Sequence, residues 1–472
     1  MLIGRHNEKL ILSSVLKDNE SHFVAVYGRR RVGKTYLIRE FFGNRFTFQH
    51  TGLAQANMNE QLDAFKSSLK GYGLKENIKI NSWYDAFDAL KQLIDSSTEQ
   101  RKVLFIDELS CMDTAKSNLI SALEHFWNGW ASARHDIILI VCASATSWML
   151  EKVIHNKGGL YNRLTDRIHL TQFSLSECEE YVKNKGLVMT RMQILQFYMI
   201  FGGVPFYWTF LKKGMSVAQN IDNILFTQDA PLKDEYKYLY SSIFKKPEVY
   251  LEIVKALGTR KSGLTREEII QVSGILNSGD LTRKLEELES CGFIRSYKSF
   301  GKVKKDTLYQ LVDFFTLFYF SFLSERPEDG NYWSNQINTP LINTWNGLAF
   351  ERVCMEHVRQ IKQKLGISGI LSDICSFRCK SDSQKGLFGS QIDMLIVRKD
   401  QVINLCEMKF SNTEYSVTEK FVNDMSRKTS DLVTATGTKC AVYPTLITTI
   451  GVVDNQYSST LQSLITLDDL FN

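Results

Sequence analysis

At 472 residues the chain is too long for one ordinary domain, and two to four are expected. With 44% hydrophobic and 23% charged residues, only 6 prolines and no long polar tract, it excludes a largely disordered protein, and each part can bury a core of its own. The formal net charge of +5 is mild and does not by itself imply nucleic acid.

The 9 cysteines are scattered, odd in number and without a C-x-x-C pair, and several sit in apolar runs such as LIVCASA and INLCEMK. They read as reduced, buried thiols of a cytoplasmic protein, and no paired zinc site is expected. The start, MLIGRHNEKL, has no long apolar stretch after a basic beginning, so no signal peptide is expected. The most apolar run, DFFTLFYFSFL at 313–323, is about half of what a membrane span needs. It predicts a buried helix, and no membrane partner is expected.

Residues 1–170 alternate short apolar runs with helical spacing. FVAVYG, KVLFIDE and DIILIVCAS are continuous apolar runs, the pattern of a parallel sheet covered on both faces. The first run ends in VYGRRRVGKTYLI, where Gly28, Gly33, Lys34 and Thr35 fit G-x-x-x-x-G-K-[ST]. A strand, a glycine-rich turn and a helix form a phosphate cradle, because backbone N–H groups and the helix N-terminus point at the anion. Gly28, Arg29, Arg30, Arg31, Val32, Gly33, Lys34, Thr35 and Tyr36 make up this candidate nucleotide site. Lys34 is expected to reach the β- and γ-phosphates and Thr35 to hold Mg2+. The three arginines add positive field, and their guanidiniums are expected to face outward, towards a neighbouring domain's acids or a nucleic-acid backbone. VLFIDELS supplies the acidic strand end that completes such a site: Asp107 for the metal's water shell and Glu108 to orient an attacking water.

Residues 171–245 read as helical, with a cap at Ser174 or Ser176, interrupted by Gly202, Gly203 and Pro205 in FGGVPFYW. Residues 246–312 give three helical patterns and two strand-like runs, with Thr265 and Glu268 as a capping box, which predicts a winged helix. The expected recognition helix, GDLTRKLEELES, carries Arg283 and Lys284 but also Glu286, Glu287 and Glu289, which a groove-binding face avoids. Lys298, Lys302, Lys304 and Lys305 at the hairpin tip are better placed to track DNA or RNA phosphates. The segment is either a nucleic-acid binder or a structural arm. Residues 313–345 read as a bridging helix and loop.

From 346 to 472 the α/β pattern returns. Asp393 lies at a strand in QIDMLIVRK, and Glu407 and Lys409 share one face at the end of the next, QVINLCEMKF. Two carboxylates can hold Mg2+, the lysine can position a water, and Glu351 on the preceding helix can add an acid. A salt bridge between Glu407 and Lys409 on a sheet surface is the plainer alternative. E-x-K alone is uninformative, since Glu235-Tyr236-Lys237 repeats it in a helical stretch.

The N-terminal 240 residues resemble the AAA+/STAND-type P-loop ATPases of Archaea and Bacteria. IGRHNEKLIL places Gly4, Arg5 and Glu8 on that family's segment before the phosphate loop, which lies near the adenine. The resemblance implies ATP rather than GTP. It also implies Ser144 as a γ-phosphate sensor, Arg163 as an arginine finger or sensor, which suggests an oligomer, and Pro205 of a helical lid against the base. The C-terminal stretch resembles the PD-(D/E)XK nucleases, with Glu351, Asp393, Glu407 and Lys409 in matching order. Met408 and the residue before Asp393 depart from that pattern. The expected fold is therefore α/β: a P-loop parallel-sheet ATPase core with a helical lid, a winged helix and a restriction-endonuclease-like C-terminal domain. The expected function is an ATP- and Mg2+-dependent switch acting on nucleic acid. The alternative is a nucleotide-gated docking module, and a metabolic kinase lacks an acceptor pocket.

Overall fold

The computed structural model describes residues 2–74, 78–144, 146–156, 158–244, 246–301, 307–325, 327 and 329–472. They form two compact units, Met1–Gln172 and Phe173–Asn472.

The first unit is built on five parallel strands: β1 (His22–Tyr27), β2 (Phe48–Thr51), β3 (Lys102–Asp107), β4 (Ile137–Ala143) and β5 (Asp166–His169), in the order β2-β3-β4-β1-β5. Every residue of β3 and β4 is buried, so their sequences are continuous apolar runs rather than alternating ones. Alternate residues still serve different layers. Phe23, Leu104 and Leu139 pack with the helices Met58–Gly71, Trp83–Asp95 and Leu119–Gly129, whereas Val24, Phe105 and Ile140 pack with His6–Lys17 and Lys34–Phe41. Because β4 lies between β1 and β3, the carboxyl ends of these three strands meet at one edge. Tyr27 is level with Ala143, and Ile106 with Val141. Open parallel sheets bind ligands outside such an edge.

The second unit opens with the helices Leu175–Asn184 and Arg191–Phe201. Ser174 and Thr190 cap them, each in a capping box. Gly203 lies against the backbone of Phe173, where a Cβ would come within 1.8 Å of the carbonyl oxygen. Pro205 then starts the short helix Pro205–Trp208. The helices Pro247–Gly258, Arg266–Ser273 and Gly279–Ser290 follow, with three antiparallel strands, β6 (Leu264–Thr265), β7 (Ile294–Tyr297) and β8 (Leu308–Leu311), in the order β6-β8-β7. Lys302, Lys304 and Lys305 lie outside the described residues. The apolar run at 313–323 forms the helix Phe314–Phe318 and a π-helical turn, Tyr319–Leu323. Among the described residues no helix is long and apolar enough to cross a membrane.

The last sheet contains β9 (Ser372–Arg378), β10 (Gln391–Arg398), β11 (Val402–Lys409), β12 (Ala441–Thr448) and β13 (Ser463–Ile465), in the order β13-β12-β11-β10-β9. β9, β10 and β11 form an antiparallel meander. The helix Glu419–Thr436 then crosses over, and β12 returns parallel to β11. The helix Pro340–Glu356 packs against β11. Two irregularities meet at Ser376. On one side the β9–β10 register shifts between Ile392 and Leu395, so Asp393 and Met394 together face Ser376 in a bulge. On the other, the Phe300 N–H donates to the Ser376 carbonyl at 2.7 Å, and the Ser376 N–H to the Lys298 carbonyl at 3.3 Å. The hairpin after β7 thus adds a short parallel segment to the edge of this sheet, and Phe300 packs against its core.

Candidate nucleotide site and a second carboxylate site

The loop after β1 has the backbone its glycines allow. Gly28 has φ 141°, Gly33 93° and Arg31, unusually for a side-chain-bearing residue, 72°. A Cβ on Gly28 would stand 2.1 Å from the Leu170 carbonyl oxygen, so no other residue fits there. The helix Lys34–Phe41 begins immediately after Gly33 and presents its N-terminus to the loop. Lys34 is buried and donates to the carbonyls of Gly28 at 2.8 Å and Arg29 at 3.0 Å.

The Thr35 hydroxyl donates to Asp107 Oδ2 at 2.7 Å. A hydroxyl and a carboxylate at one point are the hard oxygen donors that suit Mg2+. Burial raises the Asp107 carboxyl above its ordinary pKa, and the Thr35 bond pulls the other way. Glu108 follows in a left-handed conformation, φ 49°. Ser144, at the end of β4, donates to Glu108 Oε1 through its hydroxyl at 2.7 Å and to Oε2 through its N–H at 3.3 Å. Lys34, Thr35, Asp107, Glu108 and Ser144 are therefore brought to one sheet edge, as the strand order requires.

The other cradle residues divide by burial. Arg29 is buried, contrary to the expectation that all three arginines face outward; Arg30 is exposed, and Arg31 is intermediate. Arg30 lies near enough to Cys111 for its charge to act on the thiol. The Val32 side chain is in the core, and Tyr36 is half exposed. Arg5, also buried, donates to the carbonyls of Val32 at 3.2 Å and Thr171 at 2.8 Å, so its guanidinium braces the loop. Arg163 is exposed on a turn between β4 and β5. Pro205 belongs to the second unit.

In the second unit Glu351, Asp393, Glu407 and Lys409 fall within electrostatic reach of one another. Burial first, and then the Asp393 charge, pushes the Glu351 carboxyl up to about 7. Asp393, in the bulge, accepts a bond from the Gln391 amide at 2.8 Å. Glu407 is held on both oxygens, by Lys409 at 2.8 Å and Lys428 at 2.6 Å. Burial works against its charge, but the two lysines keep its pKa below the ordinary carboxylate value. Among the described residues no three His, Cys, Asp or Glu side chains are grouped to hold a metal ion. The donors present are oxygens of the right kind, and a cation at Glu407 would compete with two ammonium groups. The Glu235–Lys237 repeat of E-x-K lies on the helix Glu235–Ser241, with Glu235 buried and bonded by the Tyr207 hydroxyl at 2.8 Å.

Lys428, Arg295 and Arg352 had not been singled out from the sequence. Lys428 had a legible signal: Phe421, Met425 and Leu432 form the buried stripe of the helix Glu419–Thr436, and Lys428 falls in step with it. Arg295 and Arg352 are brought by β7 and the helix Pro340–Glu356 to where Asp393 acts on both. Burial pushes Arg295 down to about 10.

Residues 3–207 match a family model described as an ATPase domain predominantly from Archaea. An uncharacterized protein of Methanocaldococcus jannaschii is 24% identical over 443 residues, covering 91% of this chain and 92% of that protein. An uncharacterized ATP-binding protein of the same organism is 40% identical over 45 residues, 10% of this chain and 76% of that protein. Among solved structures, a Walker-type ATPase of Pyrococcus abyssi aligns with TM-score 0.46 at 15% identity, over 67% of this chain and 95% of its own. The ORC2 protein of Aeropyrum pernix, in ADPNP–ADP complexes, aligns with TM-score 0.41 at 13% identity, over 76% and 96%. The phosphate loop and the paired acids Asp107 and Glu108 lie within residues 3–207, the part of the chain that is similar to ATPase domains predominantly from Archaea.

Proposed function

We propose that the chain is a Mg2+-dependent ATPase whose nucleotide cycle governs a nucleic-acid-acting C-terminal domain. The observation that carries the first half is the convergence of Lys34, the Thr35–Asp107 pair and the Glu108–Ser144 pair at one sheet edge. Lys34 moves from the Gly28 and Arg29 carbonyls to phosphate oxygens, to which the loop N–H groups also donate. Thr35 and Asp107 would hold Mg2+, which when bound would offset phosphate charge. Glu108 orients the attacking water, and Ser144 holds it until a γ-phosphate competes for the hydroxyl. Glu108→Gln is expected to keep ATP binding while lowering turnover at least about 100-fold. Lys34→Ala is expected to weaken nucleotide binding itself. Undiminished hydrolysis by Glu108→Gln would refute its role, and unchanged affinity of Lys34→Ala would refute the cradle.

For the second half, the run of helix, β9, β10, β11, helix and β12, with Glu351, Asp393, Glu407 and Lys409 in order, supports a PD-(D/E)XK-like domain. The three helices and the β6-β8-β7 sheet support a winged helix before it. Its expected recognition helix spends Arg283 on Asp280 at 2.6 Å, and Lys284 on the same carboxylate. That favours a structural arm over a reader of base edges.

A second reading, a docking module without cleavage, is favoured by the two lysines on Glu407. Mg2+-dependent cleavage by wild type, lost in Asp393→Ala and Lys409→Ala, would support the nuclease. Cleavage by none of the three on any substrate would support the module.

A further inference from the structure

The helix Gly279–Ser290 has its cations engaged, since Arg283 and Lys284 both pair with Asp280. Unpaired positive charge gathers elsewhere in the second unit, on two turns far apart in sequence. The first follows the helix Leu175–Asn184 and carries Lys183 and Lys185 in KNKG. The second precedes the helix Val217–Ile221 and carries Lys212 and Lys213 in KKG. The fold sets the two side by side. A Cβ on Gly186 would meet the Lys213 ammonium at 2.9 Å, so Lys213 lies over the residue next to Lys185.

The nearby acids do not cover these lysines. Glu179 pairs with Lys183 and with Arg191, each at 2.9 Å, and Asp468 pairs with Arg191 at 2.9 Å. Those two cations and two carboxylates balance. Lys185, Lys212 and Lys213 are left over. All three are exposed, and among the described residues no carboxylate lies within ion-pair distance of them. A helix C-terminus favours nearby cations, which accounts for Lys183 and Lys185 but not for Lys212 and Lys213.

The second turn is held in one shape from beneath. Asn220, 3% exposed, accepts the Lys212 N–H at 2.8 Å. Its amide group donates to the carbonyls of Lys212 and Met215, each at 3.3 Å, and of Ser216 at 3.1 Å. The long side chains that this turn presents to solvent are Lys212, Lys213 and Met215. Lys185 is steadied in turn by the Tyr181 ring, 5.8 Å from its ammonium. Unpaired ammonium groups on adjacent turns repel one another, and a polyanion relieves that repulsion.

The chemistry of the patch selects among polyanions. A nucleic-acid duplex carries one charge per about 1.7 Å of its axis, the density that adjacent lysines match. Lysine is a mobile point charge that follows phosphates without reading base edges. The exposed apolar side chains of the two turns, Val188 and Met215, are not aromatic, so an unpaired base finds no ring on which to stack.

We propose that Lys185, Lys212 and Lys213 form a sequence-independent contact surface for the phosphate backbone of a nucleic-acid duplex. The inference rests on the reading of the chain as one that acts on nucleic acid.

The test is binding of the full chain, in EDTA, to a short DNA duplex over a series of salt concentrations, with the single strand and poly-glutamate as competitors. In the triple variant Lys185→Gln, Lys212→Gln, Lys213→Gln, the slope of log affinity against log salt is expected to shrink by about 2.7. Affinity near about 0.1 M salt is expected to fall at least about tenfold, with an unchanged melting temperature. The control triple Lys70→Gln, Lys420→Gln, Lys439→Gln removes as many exposed cations and is expected to stay within about twofold. No binding by wild type at low salt, or equal losses in the two triples, would overturn the proposal. Tighter binding of the single strand would overturn the duplex, and poly-glutamate competing as well as DNA at equal charge would make the surface one for an acidic protein. Cleavage in Mg2+ separates this surface from the nuclease reading. Lysine-dependent binding without cleavage by wild type keeps the surface and removes the nuclease. Lys409-dependent cleavage with a salt slope unaltered in the lysine triple keeps the nuclease and removes the surface.

Discussion

Glu351 is an acid the folded chain makes reluctant to ionise. Its pKa rises from 4.5 to about 7, through burial first and Asp393 second. Between these values the folded state keeps a proton that the unfolded chain has lost, so stability falls as pH rises through the window. The whole effect is on the order of 3 kcal/mol. Glu351→Gln cannot ionise and should escape it. Compared in EDTA, the variant is expected to match wild type near pH 4.5 and to melt at higher temperature by pH 7.5. A constant difference across that range would show that Glu351 does not titrate there. Arg29 teaches the opposite lesson about single residues. A run of three arginines reads as a basic face, yet only the backbone of the loop decides which of them points outward, and Arg29 is the buried one.

Among the elements, the hairpin after β7 departs most from a DNA-reading design. Its Phe300 N–H is engaged by Ser376, and Arg283 and Lys284 on the preceding helix Gly279–Ser290 are engaged by Asp280. The amides of Phe300 and Ser376 are therefore expected to exchange with deuterium as slowly as those of β10. Rapid exchange at Phe300 would mean that the segment is detached from the sheet in solution. The same contrast explains what was legible beforehand. β1, β3 and β4 are buried on both faces and announce themselves as apolar runs, and the phosphate loop is contiguous, so glycine spacing alone reveals it. β2, β5 and β9 lie at sheet edges and are polar in part, as FQHT, DRIH and SDICSFR show, so periodicity passes over them. The C-terminal acids were found by their order along the chain. Arg295, Arg352 and Lys428 come from distant elements, and only Lys428 interrupts a helical stripe that the sequence shows.

At the scale of the whole molecule, Arg163 bears on whether one chain suffices for turnover. Arg163 is exposed on its turn, and the arginine-finger reading has it serve the site of a second copy. Turnover per molecule is then expected to rise with protein concentration, and Arg163→Ala to remove that rise with a loss of at least about tenfold in rate while ATP affinity is kept. Turnover independent of concentration in wild type, or unaltered in the variant, would exclude a finger supplied in trans.

The contact between Gly28 and Leu170 also bears on how the loop could be felt elsewhere. The chain leaves the first unit at Gln172. Just before that exit, Leu170 lies against Gly28, its N–H bonded to Tyr27 O at 2.8 Å, and Thr171 is tied through Arg5 to Val32. The phosphate loop and the departing peptide are thus fastened at both ends of the loop. The peptide that leads into the second unit is therefore tied to the phosphate loop by contacts that lie wholly within the first unit.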